Sequence, residues 1–557
     1  MRRFLSAEGA LVAALVLLLI AGILYPLLQV LSVALLENGW PTPGPLLAFF
    51  ARPLYRVALL NTLLSGVLAV LFGSLIGVPL ALLTVRYRFP GRGVLTVLAV
   101  LPLVIPPFVG AIGFQQILGR GGAVNAVLLE RLGFAVPFME GLAAVVLVQA
   151  LHYFPFIFLN TAAALSGLDR SLEEAAQSLG ASGFRLFRRV LLPLALPGYA
   201  VGALLTFIRA IDDLGTPLML NYTNLLAPQA YLRVTTAGLA DADAYVICVI
   251  LLALSLGALR ASRASLARDD FAALGRDREA SGIALGPRGA ALAWLVAVVL
   301  LSPALLPHLG LALLSVSQVW TLTPLPTVYT AGNYGEILFR SPQFIWNTLR
   351  YALLAAAADI VLGGVIGWLL LRGRARGRQW LDTIATMPLA IPGVVIAVGY
   401  LRVFHGWSVP GLGEPLTATW LILVIVYAMR RLPYTVHGAY GALQRLPLAL
   451  EEAGQSLGAN RVRTFWKITL PLMGRGLLAG GLLVFVAAAV DFSSTILLVP
   501  RAELGPLSYG IYLYMQSVAG KGAGAALGMA AIALMAAGAW AATRLAGRSA
   551  GNSIFRA

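Results

Sequence analysis

The chain has 557 residues, of which 59% are hydrophobic and only 11% are charged. Soluble globular proteins are about half apolar and about a quarter charged, so this composition excludes a soluble domain and a disordered chain. The single cysteine, Cys248, also excludes a disulfide scaffold. The formal net charge of +17 rests on 40 basic residues, and only Lys467 and Lys521 among them are lysines. We therefore predict a polytopic membrane protein, whose orientation follows from where the basic residues lie.

Apolar windows long enough to cross a bilayer follow one another along the whole chain. A hydrocarbon core about 30 Å thick is crossed by a helix of roughly 20 apolar residues. The predicted windows are residues 11–36, 57–85, 94–118, 141–168, 190–222, 244–259, 289–316, 351–371, 383–401, 416–429, 476–500 and 523–543. The predicted fold class is therefore all-α, with about twelve transmembrane helices.

The basic residues collect in alternate loops between these windows. If the N-terminus faces the cytoplasm, the loops on that side hold 29 of the 40 basic residues, and short basic loops stay in the cytoplasm. We therefore predict a multi-pass protein of the bacterial inner membrane with both termini cytoplasmic. Binding of RNA or anionic lipid by the arginines is the alternative, but their recurrence at every second loop favours topology. The first window is longer than the apolar core of a signal peptide, so we expect it to be retained as an anchor.

The two halves of the chain repeat each other. The offset is 286 residues in the earlier part of each half and 278 residues in the later part. Pairs at the first offset include Asn61 and Asn347, Arg86 and Arg372, Pro106 and Pro392, and Gly113 and Gly399; pairs at the second include Glu173 and Glu451, Val190 and Ile468, and Asp213 and Asp491. Each half holds six windows, so we expect parallel halves related by a pseudo-two-fold axis, with a substrate pathway between them. The predicted domains are a first transmembrane core at 1–260, a cytoplasmic linker at 261–288 and a second core at 289–557.

A short polar segment lies between the fourth and fifth windows of each half, at residues 171–180 and 450–458. Local signals predict a helix in both segments. Ser171 and Glu174 have the spacing of a capping box, and Pro447 suits the first turn of the second helix.

The ends and faces of these two helices also follow from their residues. Gly180 and Gly458 can adopt the left-handed conformation that ends a helix. Apolar or small side chains share one face of the first helix: Leu172, Ala175, Ala176 and Leu179. This face would let the helix approach a partner surface closely, while Glu173 and Glu174 place negative charge near its N-terminus.

The two segments and the residues after them resemble the EAA loop of the membrane subunits of binding-protein-dependent ABC importers. The family pattern is Glu-Ala-Ala, three residues, Gly, nine residues, Ile, one residue, Leu-Pro; the first copy departs from it only at Val190 and the second only at Gly454. The resemblance implies a type I importer fold, loop helices that sit in grooves on two copies of a cytoplasmic ATPase subunit, and an external solute-binding protein. The implied coupling residues are Glu173, Glu174, Ala175, Ala176, Gly180, Glu451, Glu452, Ala453, Gly454 and Gly458. The alternative is an amphipathic connector helix that lies on the membrane surface.

The chain itself has no sequence signal for ATP hydrolysis. A phosphate-binding loop ends in Lys-Ser or Lys-Thr, whereas Lys467 precedes Ile468 and Lys521 precedes Gly522. We therefore expect this chain to be neither an enzyme nor a cofactor-binding protein, with ATP and magnesium bound by the partner ATPase subunits. Transport would proceed by alternating access. The rival class is a carrier driven by an ion gradient, which would need no ATPase partner.

Ionisable groups within spans are costly, so each is a candidate for function. The predicted pathway residues are Arg209, Asp212, Asp213 and Asp491, together with Pro106 and Pro392 in the broken third span of each half. Arg209 and Asp213 are four residues apart and could instead neutralise each other on one helix face. Asp359 is alone in its window and ranks lower. The four histidines and Cys248 lack metal-ligand spacing, so no metal site is predicted.

Two cores fused in one chain resemble the ferric-iron importer group most closely, as do residues 106–113 and 213–217. Ferric iron is therefore the expected cargo. An organophosphate or phosphonate, or thiamine, is the alternative cargo of the same importer class. The carboxylates among the pathway residues suit a cation, whereas Arg209 suits an anion.

Overall fold

The computed structural model describes residues 7–37, 39–168, 170–267, 282–408 and 413–550. This part of the chain is almost entirely helical. The helices of the first half are α1 Ala7–Leu19, α2 Tyr25–Leu35, α3 Gly44–Ala51, α4 Pro53–Arg86, α5 Arg92–Val100, α6 Pro107–Leu118, α7 Ala123–Leu132, α8 Gly141–Ser166, α9 Arg170–Ser178, α10 Gly183–Leu186, α11 Leu192–Asp212, α12 Gly215–Met219, α13 Leu226–Thr236 and α14 Ala242–Ala267. Those of the second half are α15 Pro287–Ser315, α16 Gly332–Gly335, α17 Gln343–Arg372, α18 Arg378–Thr386, α19 Gly393–Phe404, α20 Leu421–Gln444, α21 Leu448–Ser456, α22 Arg461–Thr464, α23 Leu470–Ala489, α24 Thr495–Leu498, α25 Leu507–Met515 and α26 Lys521–Ala550. Short strands pair β1 Leu36–Glu37 with β2 Trp40–Pro41 and β3 Tyr87–Arg88 with β4 Ile283–Ala284.

Nine helical stretches of the described chain are long and apolar enough to cross a membrane. They are Glu8–Leu35, Pro53–Arg86, Gly141–Ser166, Phe187–Asp212, Ala242–Ala261, Pro287–Ser315, Gln343–Arg372, Arg461–Ala489 and Lys521–Ala542. Two bent helix pairs raise the number to eleven. The remaining predicted window, 416–429, corresponds to α20, a helix of 24 residues that carries Arg430 and Arg431. The predicted all-α polytopic class is confirmed.

The two bent pairs are the broken third spans predicted for each half. The chain bends by 99° between Arg92–Val104 and Pro107–Leu132, and by 114° between Arg378–Ala390 and Gly393–Phe404. Pro106 and Pro392 lie at the bends, and both have ψ near 140°, outside the helical range. A proline fixes its own φ and offers no N–H, so the helix before it stops and a new helix starts in another direction.

The described chain divides into two compact units that do not follow the order of the repeats. The second-repeat unit comprises the described residues of 1–49, 230–252 and 331–555, and the first-repeat unit comprises 50–229 and 253–330. The first helices, α1 and α2, thus group with the second repeat, and the whole of α15, together with the residues up to 330, groups with the first. The predicted cores 1–260 and 289–557 follow the repeats and not the packing, and residues 268–281 of the predicted linker lie outside the described residues.

In the second-repeat unit, the first helical stretch, Glu8–Leu35, packs closely against α19 through α2. A side chain on Gly399 would come within 2.8 Å of the carbonyl oxygen of Pro26, so glycine is needed for this approach. Pro26 has no N–H for the carbonyl of Gly22, four residues earlier. The Tyr400 hydroxyl donates to that carbonyl at 2.6 Å. The carbonyl that the proline leaves free thus anchors the first helix on α19.

The first-repeat unit uses the same repeat position for an equivalent contact. Gly113 is the repeat partner of Gly399, and a side chain on it would collide with the carbonyl of Pro307 in α15. Near the other end of α15, Trp294 Nε1 donates to the carbonyl of Pro90 at 3.0 Å. Each unit therefore contains a helix from the other half of the chain, packed on the bent span.

Candidate functional site

The two predicted loop segments form short helices, one in each compact unit. They are α9, Arg170–Ser178, and α21, Leu448–Ser456, which lie at equivalent repeat positions. The predicted capping box is wrong, because α9 begins at Arg170 and Ser171 therefore lies inside its first turn. Pro447 is the N-cap residue of α21, with ψ 132°, one position earlier than predicted.

Both loop helices end at a left-handed glycine, as predicted. The φ angle is +82° at Gly180 and +88° at Gly458. The N–H of the residue after each glycine donates to the carbonyl five residues earlier, at 2.9 Å in the first loop and 3.1 Å in the second. This is a Schellman motif, which satisfies the last carbonyls of the helix and fixes the direction in which the chain leaves it.

Each loop helix presents two leucines to solvent. Leu172 and Leu179 are 45% and 89% exposed, and their repeat partners Leu450 and Leu457 are 44% and 90% exposed. The two leucines of each pair are seven positions apart in the sequence, which is about two helical turns, so both lie on about the same side of the helix. The predicted coupling residues Glu174, Ala175, Glu452 and Ala453 are exposed too, while Ala176 is partly buried. A single exposed leucine needs no explanation, but the same pair in both loops indicates an apolar face for a partner.

The two departures from the family pattern, Val190 in the first loop and Gly454 in the second, concern two positions that contact each other in the second loop. Gly454 is buried, and a side chain on it would collide with Cδ1 of Ile468. The first loop has the larger Ala176 at the position of Gly454 and the smaller Val190 at the position of Ile468. Ala176 has one side-chain carbon more than Gly454, and Val190 has one fewer than Ile468. The two positions together therefore fill the same volume in both loops.

Each loop helix is joined by an ion pair to a long helix that is not its neighbour in the chain. Arg86, the last residue of α4, binds Glu173 of α9. Arg372, the last residue of α17, binds Glu451 of α21, with 3.2 Å between Nε and Oε1. All four side chains are largely buried. The two pairs are repeat equivalents, so the contact itself is duplicated. The sequence predicted a role for the glutamates but explained the arginines by topology alone.

The two pathway acids at equivalent repeat positions close the same kind of turn. Asp213 follows α11, and its Oδ1 accepts a hydrogen bond from the N–H of Thr216 at 3.0 Å. Asp491 follows α23, and its Oδ1 accepts from the N–H of Ser494 at 3.1 Å. Both carboxylates are buried and orient the turn that leads into α12 or α24.

In the second-repeat unit, Asp491 also binds two arginines of α20. Its Oδ2 pairs with Arg430 and lies 2.6 Å from a guanidinium nitrogen of Arg431. Arg430 lies against the bend that follows Pro392, since a side chain on Gly393 would be 2.6 Å and 2.7 Å from its terminal nitrogens. The predicted window 416–429 stops just before Arg430 and Arg431 and so assigns both to the cytoplasmic loop that follows. That assignment is wrong, because their side chains are largely buried along α20.

The first-repeat unit differs at the corresponding place. The second oxygen of Asp213 accepts a long hydrogen bond from Gln149, at 3.4 Å. Asp213 bonds to Gln149 and to the turn that follows it, and the alternative ion pair between Arg209 and Asp213 stays a prediction. Arg209 and Asp212 are partly buried in the last turn of α11, and Asp359 is fully buried in α17. A transport role for Arg209, Asp212, Asp213, Asp491, Pro106 and Pro392 stays a prediction.

One protein family matches both halves of the chain. The inner membrane component of binding-protein-dependent transport systems matches the chain twice, at residues 69–262 and 359–550. These two matches cover more than half of the chain, and each contains one loop helix. The chain therefore belongs to this family. It is a multi-pass inner membrane permease of an ABC-type importer, with two permease cores in one polypeptide.

Individual relatives match over one or both cores. The chain is 26% identical over 498 residues to a putative ferric transport system permease protein of Haemophilus influenzae, covering 87% of this chain and 77% of the relative. It is also 26% identical to a ferric transport system permease protein of Actinobacillus pleuropneumoniae, covering 88% of this chain and 71% of the relative. A probable molybdenum ABC transporter permease protein of Haloferax volcanii is 34% identical over 245 residues, covering 43% of this chain and 86% of the relative.

Proposed function

We propose that the chain is the transmembrane subunit of an ATP-driven importer for ferric iron, which an external solute-binding protein delivers. Two copies of a cytoplasmic ATPase subunit bind ATP and magnesium and dock on α9 and α21. The chain itself carries out no chemical step, and both of its termini lie in the cytoplasm with the loop helices. The observation that carries this proposal is the duplicated loop helix with its exposed leucine pair.

The shape of each loop helix suits a groove on another protein. A short helix that lays an apolar face into a groove is a common recognition mode, in which a few buried anchors supply most of the binding energy. Leu179 and Leu457 are the most exposed apolar side chains of their loops, so each is the natural anchor. The small residues Ala175 and Ala453 beside them let the backbone approach the partner closely. The left-handed glycines then turn the chain back towards the membrane.

ATP drives transport through these two contacts. When ATP binding and hydrolysis change the separation of the ATPase subunits, α9 and α21 carry that movement into the spans to which they are attached. The cargo site then opens alternately to the outside and to the cytoplasm. In the second repeat, the Arg430–Asp491 pair joins the bend after Pro392 to the turn after α23, so these two elements move together.

Ferric iron is the favoured cargo because ferric permeases match the chain through both cores. A molybdenum oxyanion is the second candidate, since a probable molybdenum permease has higher identity over a length close to one core. Organophosphates, phosphonates and thiamine complete the set of cargos to be compared.

Uptake by proteoliposomes tests the proposal. The full chain is reconstituted with its ATPase subunits and binding protein, and uptake of radioactive iron(III), molybdate, a phosphonate and thiamine is measured. We expect iron(III) uptake with ATP, and none with a non-hydrolysable ATP analogue or without the ATPase subunits. A protonophore should leave the uptake unchanged. Uptake that persists without the ATPase subunits would instead support a gradient-driven carrier, and uptake of another cargo would replace iron.

A further inference from the structure

The polypeptide connects each loop helix to two spans only. The first loop helix, α9, follows α8 and leads through α10 to α11, and α21 follows α20 and leads through α22 to α23. The long spans α4 and α17 have no such link, although each packs along the spans of its own unit that do. Any direct connection from a loop helix to α4 or α17 must therefore be non-covalent.

We propose that Arg86 and Arg372 are positioning residues that transmit the movement of the loop helices directly to α4 and α17. This inference rests on the proposed function, since it requires that ATPase subunits move α9 and α21. Arg86 binds Glu173, and Arg372 binds Glu451. Each ion pair therefore gives its loop helix a third attachment, to the span with which the loop helix has no direct connection along the polypeptide.

The placement of the charges suits a mechanical link. Each arginine is the last residue of its span, and each glutamate lies in the first turn of its loop helix. The C-terminal end of a helix carries partial negative charge and the N-terminal end partial positive charge, so every one of these side chains is stabilised at its position. Because the side chains are largely buried, salt screens the pairs less than it screens surface pairs.

A second hydrogen bond strengthens each connection. Arg372 also donates to the carbonyl of Leu446 at 2.8 Å, two residues before α21 begins. In the first loop, Gln177 donates to the Glu173 carboxylate at 3.1 Å and holds it in place. Membrane topology requires only an arginine near the cytoplasmic surface, and the exposed Arg374 would meet that requirement. It does not require a buried partner at the same repeat position in both halves.

Apolar packing also holds the fold around the second loop. Trp368 of α17 packs edge-on against Phe465, the residue that follows α22, with ring centroids 5.4 Å apart. A buried apolar cluster that includes Met473 and Leu477 holds the same region together. Loss of the ion pair should therefore weaken the transmission of movement more than it weakens folding.

Charge reversal in the full transporter separates coupling from assembly. The variants are Arg372→Glu, Glu451→Arg, their combination, and the milder Glu451→Gln, with Arg374→Glu as the matched control. The readouts are co-purification with the ATPase subunits, ATP hydrolysis in proteoliposomes, and uptake of iron(III), or of molybdate if the wild type takes up molybdate instead. For Arg372→Glu we expect co-purification and hydrolysis within about twofold of wild type but about tenfold less cargo moved per ATP. Glu451→Gln should give a smaller loss in the same direction.

Restoration by the combined charge swap is the decisive comparison. We expect the swap to recover roughly a third or more of the wild-type ratio of cargo to ATP, and Arg374→Glu to keep nearly all of it. Equal ratios for Arg372→Glu and Arg374→Glu, or a swap that recovers nothing, would overturn the inference. So would loss of one of the two ATPase subunits in both Arg372→Glu and Glu451→Gln, because the pair would then act in assembly. A wild-type complex that moves no cargo with ATP would overturn the proposed function itself, which the wild-type sample reports separately.

Discussion

Ile468 occupies the space into which a side chain on Gly454 would project. Gly454 is buried in α21, and Ile468 lies in the π-helical segment Phe465–Thr469 that leads to α23. The contact therefore sets the distance between the loop helix and the segment that follows it. Ala176 and Val190 of the first repeat together have the same number of side-chain carbon atoms.

Restoring the family residue at one position alone should be harmful. Gly454→Ala adds a methyl group against Cδ1 of Ile468. Overpacking costs about 1–3 kcal/mol, and the higher helix propensity of alanine offsets about 1 kcal/mol of that cost. We expect a lower unfolding temperature of the purified chain and weaker ATPase binding. The combination of Gly454→Ala with Ile468→Val reproduces the side chains of the first loop and should return both properties close to wild type. Thermal unfolding in detergent measures the stability of each variant. A double variant with an unfolding temperature as low as that of Gly454→Ala would argue against compensation between the two positions.

The exposed leucines should matter for binding and not for folding. Leu179→Ala and Leu457→Ala remove side chains that are about nine-tenths exposed, so the free energy of unfolding should change by less than about 0.5 kcal/mol. Loss of a buried interface anchor costs about 2 kcal/mol, which is roughly a thirtyfold weaker binding of the ATPase subunit. Surface plasmon resonance with the detergent-solubilised chain measures that affinity. Leu478→Ala, on a spanning helix, is the control, and an equal loss there would contradict a specific role.

The end of the second loop helix depends on backbone conformation. At φ +88° a residue with a side chain is strained by roughly 1–2 kcal/mol, and asparagine tolerates this region better than most. We expect Gly458→Arg to remove one of the two ATPase subunits from the purified complex while the membrane fold is retained. Gly458→Asn should keep most of the binding. If asparagine and arginine were equally damaging, the left-handed turn would not be the reason for glycine at this position.

The two buried acids should differ in their contribution to stability. Asp491→Asn removes a buried counter-ion of Arg430 and Arg431, and breaking such a pair costs about 3–5 kcal/mol. Asp213→Asn removes mainly the charge of a turn-closing side chain, for which about 1 kcal/mol is expected. Chemical denaturation of the purified chain compares them. Equal destabilisation by the two variants would show that the arginines do not depend on Asp491.

Local features of the candidate site could be predicted from the sequence. Both loop helices and their left-handed glycines follow from residues within ten positions of one another. The start of α9 was wrong because Ser171 and Glu174 keep their spacing whether the helix begins before or after Ser171. The broken spans could also be predicted, since a proline stops a helix wherever the helix packs.

Contacts between distant residues could not be predicted. Glu173 is 87 residues from Arg86, and helical periodicity shows which face is apolar but not which element covers it. The same limit concealed the packing of the first helix on α19. Arg430 and Arg431 ended an apolar window and so were counted in a loop. The two arginines are tolerated within α20 because they pair with Asp491. Asp491 lies 61 residues after Arg430, and only the three-dimensional structure brings them together.

Two ATPase subunits should bind one chain, one at each loop helix. Native mass spectrometry of the purified complex counts them directly. We expect two subunits on the wild-type chain, one when either Gly180→Arg or Gly458→Arg disables a single loop, and none when both substitutions are present. A wild-type chain that carries a single ATPase subunit, or a double variant that still carries two, would contradict the duplicated docking site.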